Sequence, residues 1–181
     1  MKYIHEFIKI NYPKAIELKK KFKIIEKKEW NSITVLAELT VQLSHLYNAL
    51  YPSEEINEEG RNISNIGDEI SDVLLQLSYL AYIEKININN IKKYEDYSYD
   101  RITGLSVLLG QLTERILEKY DYRFDKNRPG FATPKAFIED RILKMFAIVD
   151  NYAVRKGIDI NKEFNDMYED ATSFITKKIN E

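Results

Sequence analysis

The sequence predicts an all-α fold, and three observations carry that prediction. Only 6 Gly and 4 Pro punctuate 181 residues, too few for the turns of a many-stranded sandwich. Apolar residues recur at steps of three and four, as in Leu36, Leu39, Leu43, Leu46 and Leu50. No stretch sustains the polar–apolar alternation of a half-buried strand, so none is proposed. With 44% apolar and 31% charged residues, a chain of this length can bury one substantial core, and a single domain over 1–181 is expected.

Asn11 followed by Pro13 reads as a helix start, giving an N-terminal helix over 12–28 whose lysines form a solvated basic face. A second helix begins near Asn31 or Ser32 and runs to Leu50, with Pro52 just beyond it. PSEEINEEGRN is an acidic loop, after which Ser64 or Asn65 caps a helix from Ile66 to about Lys85. Asn87 or Asn89 opens a short helix through IKKYED, and Asp100 caps RITGLSVLLGQLTERILEKY. DYRFDKNRPGFA is the second long loop. Thr133 and Pro134 then open a long helix to Lys156, Gly157 falls at a left-handed C-cap, and Asp159 caps the closing helix.

A weak internal repeat emerges when the chain is slid by 72 residues. ITVLAELTVQL from Ile33 lies over LSVLLGQLTER from Leu105, and AYIEKINI from Ala81 over AVRKGIDI from Ala153. At an offset of 74, Tyr94-Glu95-Asp96 falls on Tyr168-Glu169-Asp170. Two units are therefore expected after the N-terminal helix, one over about 30–100 and one over about 101–178.

Charge and composition exclude several function classes. A balance of 27 basic against 29 acidic residues gives no global attraction to duplex DNA or RNA or to an anionic membrane. The longest nearly apolar stretch, VLLQLSYLAYI from Val73, is shorter than the ~20 residues a bilayer requires. Zero cysteines exclude disulfides, thiolate metal sites and cysteine nucleophiles. Together with an N-terminus lacking the apolar core of a secretory signal, this makes a cytoplasmic location the expectation.

The informative chemistry lies in GDEISDVLLQL, where Glu69 and Asp72 share one flank of a helix with Gln76, bordering the apolar stripe. On the preceding helix Glu38, Gln42 and His45 project along one side. If the helices pack antiparallel, the two polar stripes face each other across a groove. Carboxylates at a core boundary are costly unless paired or metal-bound, and an all-oxygen set suits a hard cation such as Mg²⁺. The same residues also have a purely structural reading, in which Glu69 and Asp72 complement the helix dipole and pair with Lys or Arg.

At these residues the chain resembles the MazG-like all-α nucleoside triphosphate pyrophosphatases. Asp68-Glu69-Ile70-Ser71-Asp72-Val73-Leu74 matches that family's second metal motif, and Trp30 precedes the first motif helix as an aromatic often does there. Leu36 to Leu43 matches the first motif in outline only: Glu38 fits its leading carboxylate, while Leu39 and Gln42 replace two others. Tyr152 to Ile160 resembles the family's closing segment, but the second unit's metal motifs have decayed to Gly110, Gln111 and Glu114 and to Asp140, Arg141 and Lys144.

The resemblance implies two MazG-like repeats packed as a pseudo-dimer in one helical bundle. It also implies homodimers, since family members pair to complete such a bundle, although the duplication would supply that partner covalently. The activity implied is Mg²⁺- or Mn²⁺-dependent hydrolysis of a nucleoside triphosphate to monophosphate and pyrophosphate. Glu38, Glu69 and Asp72 would be the metal ligands and catalytic carboxylates, with Gln42 and Gln76 against substrate; Arg123, Lys126 and Arg128 either clamp the phosphates or belong to an ordinary solvated loop. The alternative is an inactive scaffold of the same kind that binds a nucleotide or a protein partner, suggested by Leu39, Gln42 and the stripped second unit.

Overall fold

The computed structural model describes residues 2–26, 29–51, 65–95, 97, 101–120 and 134–181. Among these residues the chain forms six α-helices and one 3-10 helix, with no strand, as the spacing of apolar residues predicts. The helices are α1 (Ile4–Glu26), α2 (Ser32–Leu50), α3 (Ile66–Ile83), α4 (Gly104–Lys119), α5 (Pro134–Lys156) and α6 (Ile160–Asn180), and the 3-10 helix is Ile88–Tyr94. None of the described helices is long and apolar enough to cross a membrane.

Local capping explains most of these boundaries. The Asn31 side chain accepts from the backbone N–H groups of Ile33 and Thr34 at 3.0 Å, and Thr34 Oγ1 accepts from Asn31 N at 2.9 Å, closing a capping box on α2. Asn65 accepts from Gly67 N at the start of α3, and Asp159 accepts from Asn161 N and Lys162 N at the start of α6. Helix α4 starts at Gly104 rather than Arg101, because 101–103 turn through a Gly104 N to Arg101 O bond. Asp100, Thr133, Ser64, Pro52 and both long loops lie outside the described residues.

The first helix corrects the expectation of a start beside Pro13. It begins at Ile4, and Pro13 sits within it. An interior proline forfeits one helical bond and costs about 3 kcal/mol, so something must offset it. Asp150 of α5, fully buried, accepts from the backbone N–H groups of Lys2, Tyr3 and Ile4 at 2.9, 2.8 and 2.8 Å, capping α1 from across the molecule. Phe7 is also buried, with ring centroids 6.3 Å from Phe146 and 5.0 Å from Phe164. Asn11 is no helix start but a buried mid-helix residue whose amide donates to Asn161 Oδ1 at 3.0 Å.

Helix α3 occupies the centre. It packs on α1, α2, α5 and α6, and from Val73 to Ala81 every residue is buried, as expected of a helix without a solvent face. Helices α2 and α3 run antiparallel, since Ser32 at the start of α2 donates to Glu84 just after α3 while His45 near the end of α2 meets Glu69 at the start of α3. Helices α4 and α5 pair likewise, with Arg115 over Phe137 and Gln111 bonded to Arg141. Between the pairs, α2 and α4 are antiparallel, Tyr47 meeting Ser106 at one end and Ser32 meeting Tyr120 at the other.

Corresponding features recur at the 72-residue offset. Lys85 and Gly157 are the residues with positive φ among those described, at 54° and 68°. Each closes a helix in the same way, by bonds from Ile86 N to Ala81 O and from Ile158 N to Ala153 O, both 2.9 Å. Each is followed two residues later by an Asx cap, Asn87 or Asp159, opening the next helix.

Candidate functional site

Four helices converge on a groove of about 380 Å³. Helix α2 contributes Glu38 and Gln42, one turn apart, and α3 contributes Asp68, Asp72 and Gln76 at the same four-residue step. Helix α1 adds Lys19, Phe22 and Glu26, Trp30 closes one side, and α6 brings Met167, Asp170 and Ala171. The floor is shielded from water. Lys19 is 3% exposed and Gln76 is 4% exposed, and the Oε1 atoms of Gln42 and Gln76 are buried without a hydrogen-bond partner. The mouth carries exposed carboxylates, Glu26, Asp68 and Asp170.

The electrostatics are dominated by negative charge. Burial, then the nearby Asp68 and Glu69 carboxylates, push Asp72 up from 3.8 to about 7, while Lys19 pulls the other way. Burial and the facing Asp170 likewise raise Asp68. Lys19 Nζ lies 3.4 Å from the centroid of the Trp30 ring, and Trp30 Nε1 donates to Glu26 at 2.8 Å. Asp140, 72 residues after Asp68, is instead surrounded by partners. It accepts from Tyr94 at 2.7 Å and pairs with Lys144 at 3.0 Å and with Arg141. Burial would raise Asp140, but the bonds from Tyr94 and Lys144 hold it below the ordinary carboxylate range.

The groove brings together Glu38, Gln42, Asp72 and Gln76 of the residues singled out in the sequence. Glu69 is placed elsewhere: it is buried, turned towards α2, with its carboxylate 3.9 Å from His45 Nδ1. Arg123, Lys126 and Arg128 lie outside the described residues. Among the described residues no three His, Asp or Glu side chains converge closely enough to share one metal ion. Sequence reasoning missed Lys19, reading it as part of a solvated lysine face. Its signal was its place one turn after Ala15 and next to Leu18, both fully buried, on the inner stripe of α1.

A larger groove of about 740 Å³ runs between α2 and α4, walled by Leu43, Tyr47, Leu109 and Leu117; it gathers none of Glu38, Glu69 and Asp72, and of the decayed motif positions only Gly110 and Glu114 line it. Comparisons with protein-family models, curated proteins and solved structures give no match. The chemistry of the smaller groove is therefore the ground for a functional reading.

Proposed function

We propose that the chain is a nucleoside triphosphate pyrophosphohydrolase built from two MazG-like repeats that pack as a covalent pseudo-dimer, with its site in the first repeat. The observation that carries this reading is that Glu38 and Gln42 of one motif helix and Asp72 and Gln76 of the other line one groove, on antiparallel neighbours. The matching left-handed C-caps and Asx caps 72 residues apart support the duplication. In this reading the second half completes the bundle, so no second copy of the chain is needed.

The donor set fits Mg²⁺ or Mn²⁺ in one specific way. Mg²⁺ is commonly held by one or two carboxylates, with water and substrate phosphates filling its octahedron, so a site need not gather three carboxylates beforehand. Asp72 and Glu38 would supply direct oxygens, and Glu69, one turn from Asp72, would add to the field. A bound cation would neutralise the phosphates and lower the pKa of an attacking water. Without a cation, this acidic groove repels a triphosphate.

The test is pyrophosphate release from a panel of triphosphates, with Mg²⁺ or Mn²⁺ and with chelator. Metal-dependent release that Asp72→Asn removes is the expected result. No release from any triphosphate with either metal overturns the enzyme reading. The second reading, a non-catalytic scaffold of the same kind, is favoured by one observation: Leu39, which takes the place of a motif carboxylate, is fully buried in the core.

A further inference from the structure

The groove has a property that its reading as a metal site does not use. Its carboxylates are strung from mouth to floor instead of meeting at a point, so among the described residues no three can close on one ion. At the mouth Asp68 of α3 and Asp170 of α6 repel each other, and deeper in lies Asp72. The floor ends at Gln76, whose buried Oε1 accepts no hydrogen bond although a buried acceptor left so is costly. Lys19 offsets part of this negative charge, and a donor that brings further positive charge suits both the dry acceptor and the carboxylates left over.

Between mouth and floor the wall is apolar, made by Phe22, Leu75 and Met167. The protein already places one alkylammonium in this setting. Lys19 lays its four-carbon chain into the groove, is almost wholly buried, and sets its ammonium against the Trp30 ring. Acceptors at both ends and methylene-binding surface between them match a cation whose charges are separated by a hydrocarbon chain. A compact divalent ion uses only one end of that arrangement.

We propose that this groove binds a linear α,ω-diaminoalkane, a free polyamine, with one ammonium at the mouth between Asp68 and Asp170 and the other on the floor at Asp72 and Gln76. The alkyl chain lies along Phe22, Leu75 and Met167. The inference does not rest on the pyrophosphohydrolase reading, because such binding needs neither metal nor nucleotide.

The experiment is calorimetric titration and thermal melting of the full chain at about pH 8, without divalent metal or nucleotide, where carboxylates are ionised and alkylammoniums remain protonated. The probes are 1,4-diaminobutane and spermidine, against n-butylamine, a dilysine peptide and NaCl at matched ionic strength. One-to-one binding of a diamine at least about tenfold tighter than n-butylamine is expected, with a rise in melting temperature that NaCl does not reproduce. Asp170→Asn, at an exposed position on the mouth, should weaken binding about fivefold or more, while the free protein melts no lower than wild type because the repulsion with Asp68 is relieved. Gln76→Leu should weaken it as well.

A diamine no better than n-butylamine or salt, or one bound equally well by Asp170→Asn, overturns the proposal. Tighter binding of the dilysine peptide than of either polyamine also overturns it, assigning the ammonium to a protein partner. Pyrophosphate release is a separate assay, so each reading can fail alone.

Discussion

Asp72 is held where water is scarce and other carboxylates are near, and the consequence is a definite pH dependence. Its folded pKa, about 7, lies above its ordinary 3.8, so the folded chain keeps a proton that the unfolded chain releases. Its contribution to stability is whole below about pH 4 and fades as pH rises to about 7, by about 1.4 kcal/mol for every tenfold difference in proton affinity between the folded and unfolded chain. Asp72→Asn should melt higher than wild type at pH 8 and lose this part of the pH slope, which melts at pH 5 and pH 8 will show. Gln42→Glu is the complementary change. If a cation sits in the groove, the added oxygen tightens Mn²⁺ binding and pyrophosphate release persists or rises, whereas Glu69→Ala, which removes only a nearby charge, weakens release. If no cation binds, the new carboxylate joins Glu38 and Asp72 with no added positive charge to offset it, and the variant melts lower with or without Mn²⁺. Spacing made the groove partly legible in the sequence, because Glu38 and Gln42, and Asp72 and Gln76, are one turn apart on helices that pack together. It misplaced Glu69, since a three-residue step leaves two side chains about 60° apart, enough to turn one towards His45 and the other into the groove. Lys19 was hidden by its own neighbours, a run of lysines in which only packing against Trp30 distinguishes one from the rest.

At the scale of elements, the C-termini of α3 and α5 use the same left-handed closure with different residues. Gly157 takes φ of 68° without penalty, whereas Lys85 at 54° carries a Cβ that this region disfavours by roughly 1 kcal/mol. Lys85→Gly should therefore stabilise the protein by up to about 1 kcal/mol, and Gly157→Ala should destabilise it by about the same, both read from urea midpoints at constant slope. Helix ends of this sort were legible because capping is local: Asn31, Asp159 and Gly157 act on residues within a turn of themselves. The start of α1 was not, because its cap is Asp150, 146 residues from Ile4 in sequence. Asp150→Ala leaves three backbone N–H groups without that acceptor and should cost about 2–4 kcal/mol. Faster amide exchange at Tyr3 and Ile4 and through the first turns of α1 is the matching local observation.

Across the whole molecule, the central place of α3 decides whether half a chain can stand alone. A fragment of residues 1–100 keeps α1, α2 and α3, but α3 then loses its contacts with α5 and α6 and shows water an apolar surface that no polar face replaces. The same cut takes Phe146 and Phe164 from Phe7, Asn161 from Asn11 and Asp150 from the start of α1, so α1 loses its anchor at the end that Pro13 makes weakest. The buried Glu84 carboxylate would keep Ser32 and lose Lys119, its ion-pair partner at 2.6 Å. A group of that kind is strongly destabilising once its partner is gone. The fragment is thus expected to aggregate, or to recruit a second copy to cover α3, and not to fold as a monomer. Mixing it with a fragment of residues 101–181 should restore helicity and one cooperative transition, because the covering surfaces return even though the chain is cut. Sedimentation and circular dichroism of the two fragments, alone and together, check this. A fragment 1–100 that is monomeric, helical and cooperative in its melt would mean that this part of the chain closes its own core, and the proposed covalent pseudo-dimer would then have no physical basis.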